Sequence, residues 1–274
     1  MFTLNCKGRI LSIKNPIVMG ILNITPDSFY EGSRVNNTSE ILFSAEEMIR
    51  HGATILDIGG QSTRPGAEEI GIDEELKRVI PAIQIIRKNF PDSFLSIDTY
   101  HHKVAEEAVQ NGVDIINDIS GGSFDRDMIL TVASLNVPYI CMHIQGTVKT
   151  MQENPQYKNV TLEVIDFFIR KIEECNKAGI KDLIIDPGFG FGKTTEHNFQ
   201  LIKELESFKI LKKPILLGVS RKSTIYKTLG ISANESLNGT SVLNTIGLLK
   251  GASILRVHDV KEAVEAIKLC NYMK

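Results

Sequence analysis

The stretch HGATILDIG at residues 51–59 joins the end of one structural unit to the start of the next. Its glycine suits the left-handed backbone that ends a helix, and the short apolar run after it is typical of a buried strand. The same arrangement recurs as NGVDIIND at 111–118, AGIKDLIID at 178–186 and KGASILRVH at 250–258. This repeat predicts strands that alternate with helices.

Eight short apolar runs carry the pattern along the chain, and each is followed by a longer amphipathic segment. The predicted strands are 17–22, 55–58, 94–97, 113–116, 138–142, 183–185, 215–219 and 254–257. The predicted helices lie near 39–51, 73–89, 102–111, 126–135, 160–178, 197–208, 235–250 and 260–273. Units of about 30 residues match a closed (β/α)8 barrel.

The competing architecture is an open doubly wound sheet, which normally carries G-x-G-x-x-G after its first strand. GILNITPDSF at 20–29 lacks that fingerprint, so the barrel is favoured. We expect an α/β fold in which residues 1–274 form a single TIM-barrel domain. A short β-hairpin at 3–13, with a Lys7–Gly8 turn, is expected to cover the amino-terminal end of the barrel.

The composition limits the classes of partner. The 31 Lys and Arg against 33 Asp and Glu give a net charge of −2, which disfavours nucleic-acid and polybasic membrane binding and favours small molecules. The 4 cysteines form no C-x-x-C pair, so we expect neither a zinc cassette nor a disulfide framework. With no recognisable targeting or membrane-spanning segment, the chain is expected in the reducing cytoplasm.

In a barrel the active site lies at the carboxyl ends of the strands, and here every predicted strand ends in polar residues. Asp and Asn also favour strand ends and helix caps for purely structural reasons. Eight polar ends together favour a concave site for a polar heterocycle that carries an anionic group. These residues are Asn23, Asp57, Asp98, Asn117, Asp118, His143, Asp186, Ser220, Arg221, Lys222, Arg256 and His258.

Local motifs narrow the chemistry. DPGFGFGKT at 186–194 lacks the Walker spacing, and GVSRKS at 218–223 lacks the second glycine of a nucleophile elbow. Arg221 and Lys222, either solvated surface charges or site residues, are predicted to form an anion pocket with RVHD at 256–259. QSTRPG at 61–66 is predicted to be a carboxylate-contacting loop.

Taken in order, these motifs resemble those of the dihydropteroate synthase family of pterin-binding barrel enzymes. The resemblance covers nearly the whole chain, and it does not depend on any single motif. The matching motifs are GILNITPDSF at 20–29, DIGGQSTRPG at 57–66, SIDT at 96–99, INDISGG at 116–122, MHIQGTV at 142–148, DPGFGFGKT, GVSRKS and ILRVHDV at 254–260.

The resemblance implies the condensation of 6-hydroxymethyl-7,8-dihydropterin pyrophosphate with p-aminobenzoate, and it implies a role for each matching residue. The implied catalytic residues are Asp98, Asn117, Asp186, Lys222 and Arg256. The implied pterin-binding residues are Asp98, Asn117, Met142, Asp186 and Lys222. Asn23, Arg256 and His258 are implied for pyrophosphate, and Asn23 also for Mg2+. The implied p-aminobenzoate residues are Phe29, Thr63, Arg64, Pro65, Phe191, Lys222 and Ser223.

Two loops depart from the family pattern. The first reads DSFYEGS at 27–33, where DSFSDGG is usual, and Gln61 stands where the second loop commonly carries a glutamate. Two other functions stay open: a methyltetrahydrofolate-dependent corrinoid methyltransferase, and a catalytically silent pterin-binding protein. The resemblance also implies a homodimer; the apolar segment 241–252 suits that contact or an inward-facing barrel helix equally well.

Overall fold

A computed structural model of the chain describes residues 1–24, 34–61 and 69–273, with side chains from residue 38 onward in the second range. The chain begins with an antiparallel hairpin of β1 (Phe2–Cys6) and β2 (Arg9–Ile13). The turn between them has positive φ at both Lys7 and Gly8, as a tight two-residue hairpin turn requires. The predicted hairpin is therefore confirmed.

The described residues next form eight parallel strands in the sheet order β8-β7-β6-β5-β4-β3-β10-β9. A parallel bridge between Ile185 and Ile215 joins the two ends of the sheet. The predicted (β/α)8 barrel is confirmed, and the strands lie within a few residues of their predicted bounds. They are β3 (Ile17–Asn23), β4 (Ile55–Gly59), β5 (Phe94–Asp98), β6 (Ile115–Asp118), β7 (Tyr139–Met142), β8 (Leu183–Asp186), β9 (Leu216–Leu217) and β10 (Ile254–Val257).

Helices surround the barrel. They are α1 (Arg34–Arg50), α2 (Ile72–Asn89), α3 (His102–Gln110), α4 (Met128–Leu135), α5 (Val160–Ala178), α6 (Thr195–Lys203), α7 (Ser223–Leu229), α8 (Leu237–Lys250) and α9 (Val260–Asn271). The helix predicted over 197–208 is divided, because α6 ends at Lys203 and a 3-10 segment follows at Leu205–Leu211. The predicted glycine stops are observed: Gly179 and Gly251 end α5 and α8 with φ of 98° and 108°.

The hairpin closes the amino-terminal end of the barrel with apolar side chains. Leu4, Cys6, Leu11 and Ile13 are buried in one cluster with inward-facing residues at the start of the strands, among them Met19. The other barrel members of that cluster are Ile55, Ile115, Ile140, Ile184, Leu216 and Ile254. This end is therefore a packed apolar layer, which leaves the opposite end for polar side chains.

An ion-pair network also stabilises the amino-terminal end of the barrel. Asp114 accepts hydrogen bonds from Arg9 at 2.8 Å, from Arg87 at 2.6 Å and from the Leu95 backbone N–H at 2.9 Å. These contacts join the hairpin, α2 and the strand β5 at one carboxylate. The four cysteines are free and buried. None of the helices that the structure describes combines the length and apolar character needed to cross a bilayer.

The hairpin plug makes a stability prediction. Leu11 is 3 % exposed inside the plug, whereas its neighbour Ile10 is 62 % exposed. We expect Leu11→Ala to lower the free energy of unfolding by about 2–4 kcal/mol, since it removes buried methyl groups and leaves a cavity. Ile10→Ala is the matched control and should change it by less than about 0.5 kcal/mol. Urea denaturation followed by circular dichroism measures both, and equal effects would show that the hairpin does not plug the barrel.

Candidate active site

Polar side chains from neighbouring strands are brought into one row at the carboxyl-terminal mouth of the barrel. Asn23 of β3 pairs in register with Gly59 of β4, Gly59 with Asp98 of β5, and Asp98 with Asn117 of β6. Gly59 has no side chain, so the carboxylate of Asp98 and the amide of Asn23 both lie near it: a Cβ there would be 3.8 Å from Asp98 Oδ2 and 3.7 Å from Asn23 Oδ1. The predicted strand-end residues therefore share one face.

Arg256 of β10 connects this row to the rest of the mouth. Its Nε donates to Asp57 Oδ2 at 2.6 Å, and its Nη2 donates to Asp98 Oδ2 at 2.5 Å. Asn117 Nδ2 also donates to Asp57 Oδ2, at 3.0 Å. A guanidinium has five N–H donors, and the carboxylates use two of them. One cation thus pairs with two buried carboxylates while keeping donors for a ligand.

The carboxylates of the mouth retain acceptor capacity. Among the described residues, Asp57 Oδ1 and Asp98 Oδ1 are buried and have no hydrogen-bond partner. Burial raises the pKa of Asp98, and the charges of Asp57 and Asp118 add to that rise, while Arg256 and Lys222 oppose it. Buried acceptors of this kind favour a ligand that presents N–H donors, because an unpaired buried oxygen costs free energy.

Lys222 and Asp186 form the opposite side of the mouth. Lys222 precedes α7, its Nζ donates to the Phe189 carbonyl, and it lies 4.4 Å from the centroid of the Phe191 ring. Asp186 ends β8, accepts from the Gly188 N–H at 2.8 Å, and pairs in register with Met142 of β7. Burial lowers the pKa of Lys222 to about 8, and the Asp186 carboxylate opposes that shift.

The predicted anion pocket is rearranged in the structure. Arg221 donates two hydrogen bonds to Asp259, at 2.9 Å and 2.7 Å, and others to the carbonyls of Ala233 and Asn234, so most of its donors are already engaged. His258 remains beside the mouth, with Nδ1 3.0 Å from Ser220 Oγ and its backbone N–H donating to the same oxygen at 3.1 Å. Ser223 is the first residue of α7 and directly follows Lys222.

Among the residues that the structure describes, Asn23 is the candidate cation ligand. It is exposed at the end of β3 and offers one amide oxygen at the mouth. A hard cation such as Mg2+ takes oxygen ligands and usually completes its shell with substrate phosphates and water, so a single protein oxygen fits it. The predicted site residues Phe29, Thr63, Arg64 and Pro65 lie outside the described residues.

Another group of metal-type ligands, His102, Asp125 and Asp127, was not predicted as a site. Asp125 Oδ2 already accepts from the backbone N–H of His102 at 2.9 Å and contacts its Nδ1 at 2.7 Å. These bonds join the start of α3 to the segment after β6. The group therefore has a structural explanation.

Sequence reasoning singled out Asp57 as a strand end but gave it no role. The structure makes it the shared acceptor of Arg256 and Asn117, and it is fully buried. A signal was present, because Asp57 is a charged residue inside the apolar run ILDIG. Lys193 was also missed; it closes the DPGFGFGK segment and is 2 % exposed.

With the barrel and its polar mouth described, the chain can be compared with known proteins. The family described as "Pterin binding enzyme" matches residues 19–258. The chain belongs to the pterin-binding enzyme family. The matched range includes each mouth residue from Asn23 to His258.

The relatives of this pterin-binding enzyme that we compared are all named dihydropteroate synthase. It is 44 % identical to a dihydropteroate synthase of Escherichia coli strain K12, an alignment that covers 96 % of this chain and 93 % of that protein. The crystal structure of Yersinia pestis dihydropteroate synthase with a sulfonamide drug complex is 40 % identical, with a TM-score of 0.93 and 99 % coverage of both chains. Xanthomonas albilineans dihydropteroate synthase with 4-aminobenzoic acid is 38 % identical, with a TM-score of 0.91 and coverage of 99 % and 97 %.

The pterin-binding enzyme also has a buried acid beside the mouth. Glu75, in the first turn of α2, is 1 % exposed, and neither carboxylate oxygen has a hydrogen-bond partner among the described residues. It packs under Gly60, where an added Cβ would lie 3.2 Å from Glu75 Cγ. Burial raises its pKa to about 7; Asp98 adds to the rise, whereas the Thr99 hydroxyl and Arg78 oppose it.

The raised pKa of Glu75 predicts how stability depends on pH. Between pH of about 4.5 and 7 the folded state holds more protons than the unfolded state, so the free energy of unfolding falls as pH rises. We expect Glu75→Gln to remove the part of this fall that Glu75 causes, leaving the part due to Asp98, and to stabilise the enzyme by about 2–3 kcal/mol at pH 8, with little effect at pH 4. Denaturant unfolding across this pH range measures it. Glu74→Gln, at an exposed neighbour, is the control; a Glu75→Gln profile that matches wild type would contradict the buried acid.

Proposed function

We propose that this enzyme is a transferase that condenses 6-hydroxymethyl-7,8-dihydropterin pyrophosphate with p-aminobenzoate. The products are 7,8-dihydropteroate and pyrophosphate, and the step belongs to folate biosynthesis. The observation that carries the proposal is the Arg256–Asp57–Asp98 arrangement facing Lys222 and Asp186, in a chain so similar to dihydropteroate synthases. This mouth offers hydrogen-bond acceptors for a pterin and cations for an anionic leaving group.

Four polar residues are proposed to bind the pterin ring: Asp98, Asn117, Asp186 and Lys222. The ring presents N–H donors on one edge, and carboxylate oxygens accept from them; the unpartnered Oδ1 of Asp98 is such an acceptor. The Lys222 ammonium and the Asn117 amide donate to ring acceptors. Met142, buried between β6 and β8, supplies apolar contact.

The pyrophosphate is proposed to lie against Asn23, Arg256 and His258. Arg256 remains cationic because Asp57 and Asp98 raise its pKa further, so it stabilises negative charge at any physiological pH. The Ser220 hydroxyl contacts His258 Nδ1 and orients that imidazole. Mg2+, held by Asn23 and the phosphate oxygens, would supply additional charge stabilisation for the leaving group.

The second substrate is proposed to bind beside Phe191, Lys222 and Ser223. The Phe191 ring and the Lys222 ammonium, 4.4 Å apart, suit an aromatic ring with a carboxylate. Phe29, Thr63, Arg64 and Pro65, which lie outside the described residues, are proposed to complete this pocket. The 4-aminobenzoic acid in the name of the similar Xanthomonas albilineans structure supports this class of ligand.

The chemistry that these residues favour is a dissociative substitution. The C–O bond to pyrophosphate breaks with its electron pair leaving on oxygen, where fixed cations stabilise the charge. The electron-rich pterin shares the positive charge that develops on carbon, next to the Asp98 and Asp186 carboxylates. The neutral arylamine then forms the C–N bond and loses a proton to solvent. No covalent enzyme intermediate or general base is required, since binding and positioning supply the catalysis.

Two other functions are distinguishable from this one. A methyltetrahydrofolate-dependent corrinoid methyltransferase needs a pterin pocket but no pyrophosphate site, and the cations Arg256, Lys222 and His258 at the mouth favour the synthase. A silent pterin-binding protein would bind the ring and release nothing. Pyrophosphate release with each substrate and Mg2+ omitted in turn, and dihydropteroate confirmed by mass, separates the three functions.

A matched pair of variants tests the pterin site. Asp98→Asn should lower kcat/KM by at least about 100-fold, because it removes a carboxylate that accepts from the pterin and stabilises the developing cation. Asp92→Asn, at an exposed acid just before the other end of β5, should retain wild-type turnover. Circular dichroism checks that both variants fold. Near-normal turnover by folded Asp98→Asn would remove the assignment of Asp98 to the pterin.

The proposed partners are the two small-molecule substrates and a second copy of the same domain, residues 1–274, in the cytoplasm. On α8, Leu243 and Leu248 are buried against the barrel, while Val242 and Leu249 are 50 % and 54 % exposed. Val242 and Leu249 are seven residues apart, so they share the outer face of the helix. This outer face of α8 is the proposed homodimer contact.

The dimer proposal predicts a change in mass. Charged residues on the outer face of α8, in the double variant Val242→Asp with Leu249→Asp, should convert a dimer into a monomer, because buried unpaired carboxylates oppose association. Leu130→Asp, on the exposed side of α4, is the control and should stay dimeric. Light scattering coupled to size exclusion gives the mass. A double variant that stays dimeric would place the contact elsewhere.

A further inference from the structure

Lys193 is a buried cation to which the proposed reaction gives no role. It ends the segment between β8 and α6, and it is 2 % exposed. Its Nζ donates to the Phe191 carbonyl at 2.9 Å and the Gly188 carbonyl at 3.0 Å, and it lies 3.0 Å from His143 Nδ1. Lys193 therefore joins two points of its own segment to the end of β7.

Burying the ammonium of Lys193 costs free energy, because the described residues around it offer no carboxylate partner. Its hydrogen-bond partners are backbone carbonyls and an imidazole rather than a carboxylate. Burial lowers the pKa of Lys193 to about 7, the nearby Lys222 cation adds to that shift, and only Asp186 opposes it. Apolar residues often replace buried charges without loss of stability, so a cation retained here points to a geometric role.

The segment that Lys193 holds lies very close to residues 143–145, which follow β7. An added Cβ at Gly188 would lie 1.8 Å from the His143 carbonyl oxygen, and one at Gly192 would lie 2.4 Å from the Gln145 carbonyl oxygen. Both glycines also have positive φ. The backbone of the segment thus lies where no side chain fits, and the Lys193 ammonium is one of several groups that hold it there by hydrogen bonds.

Two groups of the same segment reach Lys222. The Phe189 carbonyl accepts a hydrogen bond from Lys222 Nζ, and the Phe191 ring lies 4.4 Å from that atom. The Phe191 N–H in turn donates to the Gly188 carbonyl at 3.0 Å, the same oxygen that Lys193 contacts. A shift of the segment would therefore move both neighbours of Lys222.

We propose that Lys193 is a positioning residue for Lys222. Its buried ammonium helps to fix residues 188–193 against residues 143–145, and that segment holds the Lys222 ammonium between the Phe189 carbonyl and the Phe191 ring. The inference rests on the proposed function, in which Lys222 and Phe191 contact p-aminobenzoate. Lys222 is also proposed to contact the pterin, but that substrate has the further residues Asp98, held by Arg256, and Asn117, held by Asp57, so it depends on Lys193 less than p-aminobenzoate does.

The test compares Lys193→Met with Lys203→Met, a matched change at an exposed lysine in the last turn of α6. Lys193→Met should raise KM for p-aminobenzoate by about tenfold or more, while KM for the pterin substrate, which has further contacts at Asp98 and Asn117, rises by less than about threefold. Lys203→Met should match wild type. Lys193→Gln keeps two N–H donors without the charge and should raise the same KM less than Lys193→Met does; it replaces Lys193→Met if that variant does not fold.

Amide hydrogen exchange of residues 187–193, measured without substrates, tests the positioning separately from activity. Lys193→Met should speed exchange of the Phe191 amide by about tenfold or more. Unchanged exchange, or an equal rise of KM for both substrates with a lower melting temperature, would overturn the inference. If wild type shows no turnover, the proposed function fails, whereas the exchange comparison still decides whether Lys193 holds the segment.

Discussion

The contact of Arg256 with Asp57 and Asp98 is the interaction on which the site depends. A barrel interior of this size is filled by side chains, and two carboxylates buried there without a cation would destabilise the fold by several kcal/mol. The guanidinium extends from β10 past β3 to β4 and β5, so one side chain forms ion pairs with acids on two other strands. The planar, permanently charged guanidinium donates to the two carboxylates from different nitrogens, a fixed geometry that the single ammonium of a lysine does not provide. The cation that the proposed reaction uses is therefore also the one that stabilises the buried acids of the barrel.

One end of the barrel supplies apolar burial, and the other end carries the polar site. At the amino-terminal end the hairpin and the first inward-facing residues form a dry apolar layer, tied together at Asp114. That layer supplies burial without any polar group that needs a ligand. At the other end, where the strands finish, the side chains that face the mouth are Asp, Asn, Arg and Lys. The free energy gained at the closed end offsets the desolvation of charges at the open one.

Much of this arrangement follows from local sequence, and the rest does not. The strands and their polar ends were predictable because alternation, glycine stops and strand exits are features of neighbouring residues. Arg256 lies 199 residues from Asp57, so their contact exists only after the barrel closes. No local pattern could therefore predict the role of Asp57. Arg221 and Lys222 were predicted as one cationic pair, but positive φ at Arg221 separates them, and Arg221 pairs with Asp259. The end of α6 was placed too late because apolar periodicity continues into the 3-10 segment.

Lys222 links the two substrate sites for a physical reason. It lies among Asp186, the Phe189 carbonyl and the Phe191 ring, and burial brings its pKa to about 8. Burial has already removed water from this ammonium, so each negative group that approaches stabilises its charged form, as Asp186 does. A carboxylate-bearing substrate would thus strengthen the charge on Lys222, and the charged Lys222 would in turn hold both substrates more firmly. Because Lys222 is proposed to contact both substrates, the position of this one ammonium bears on both binding sites.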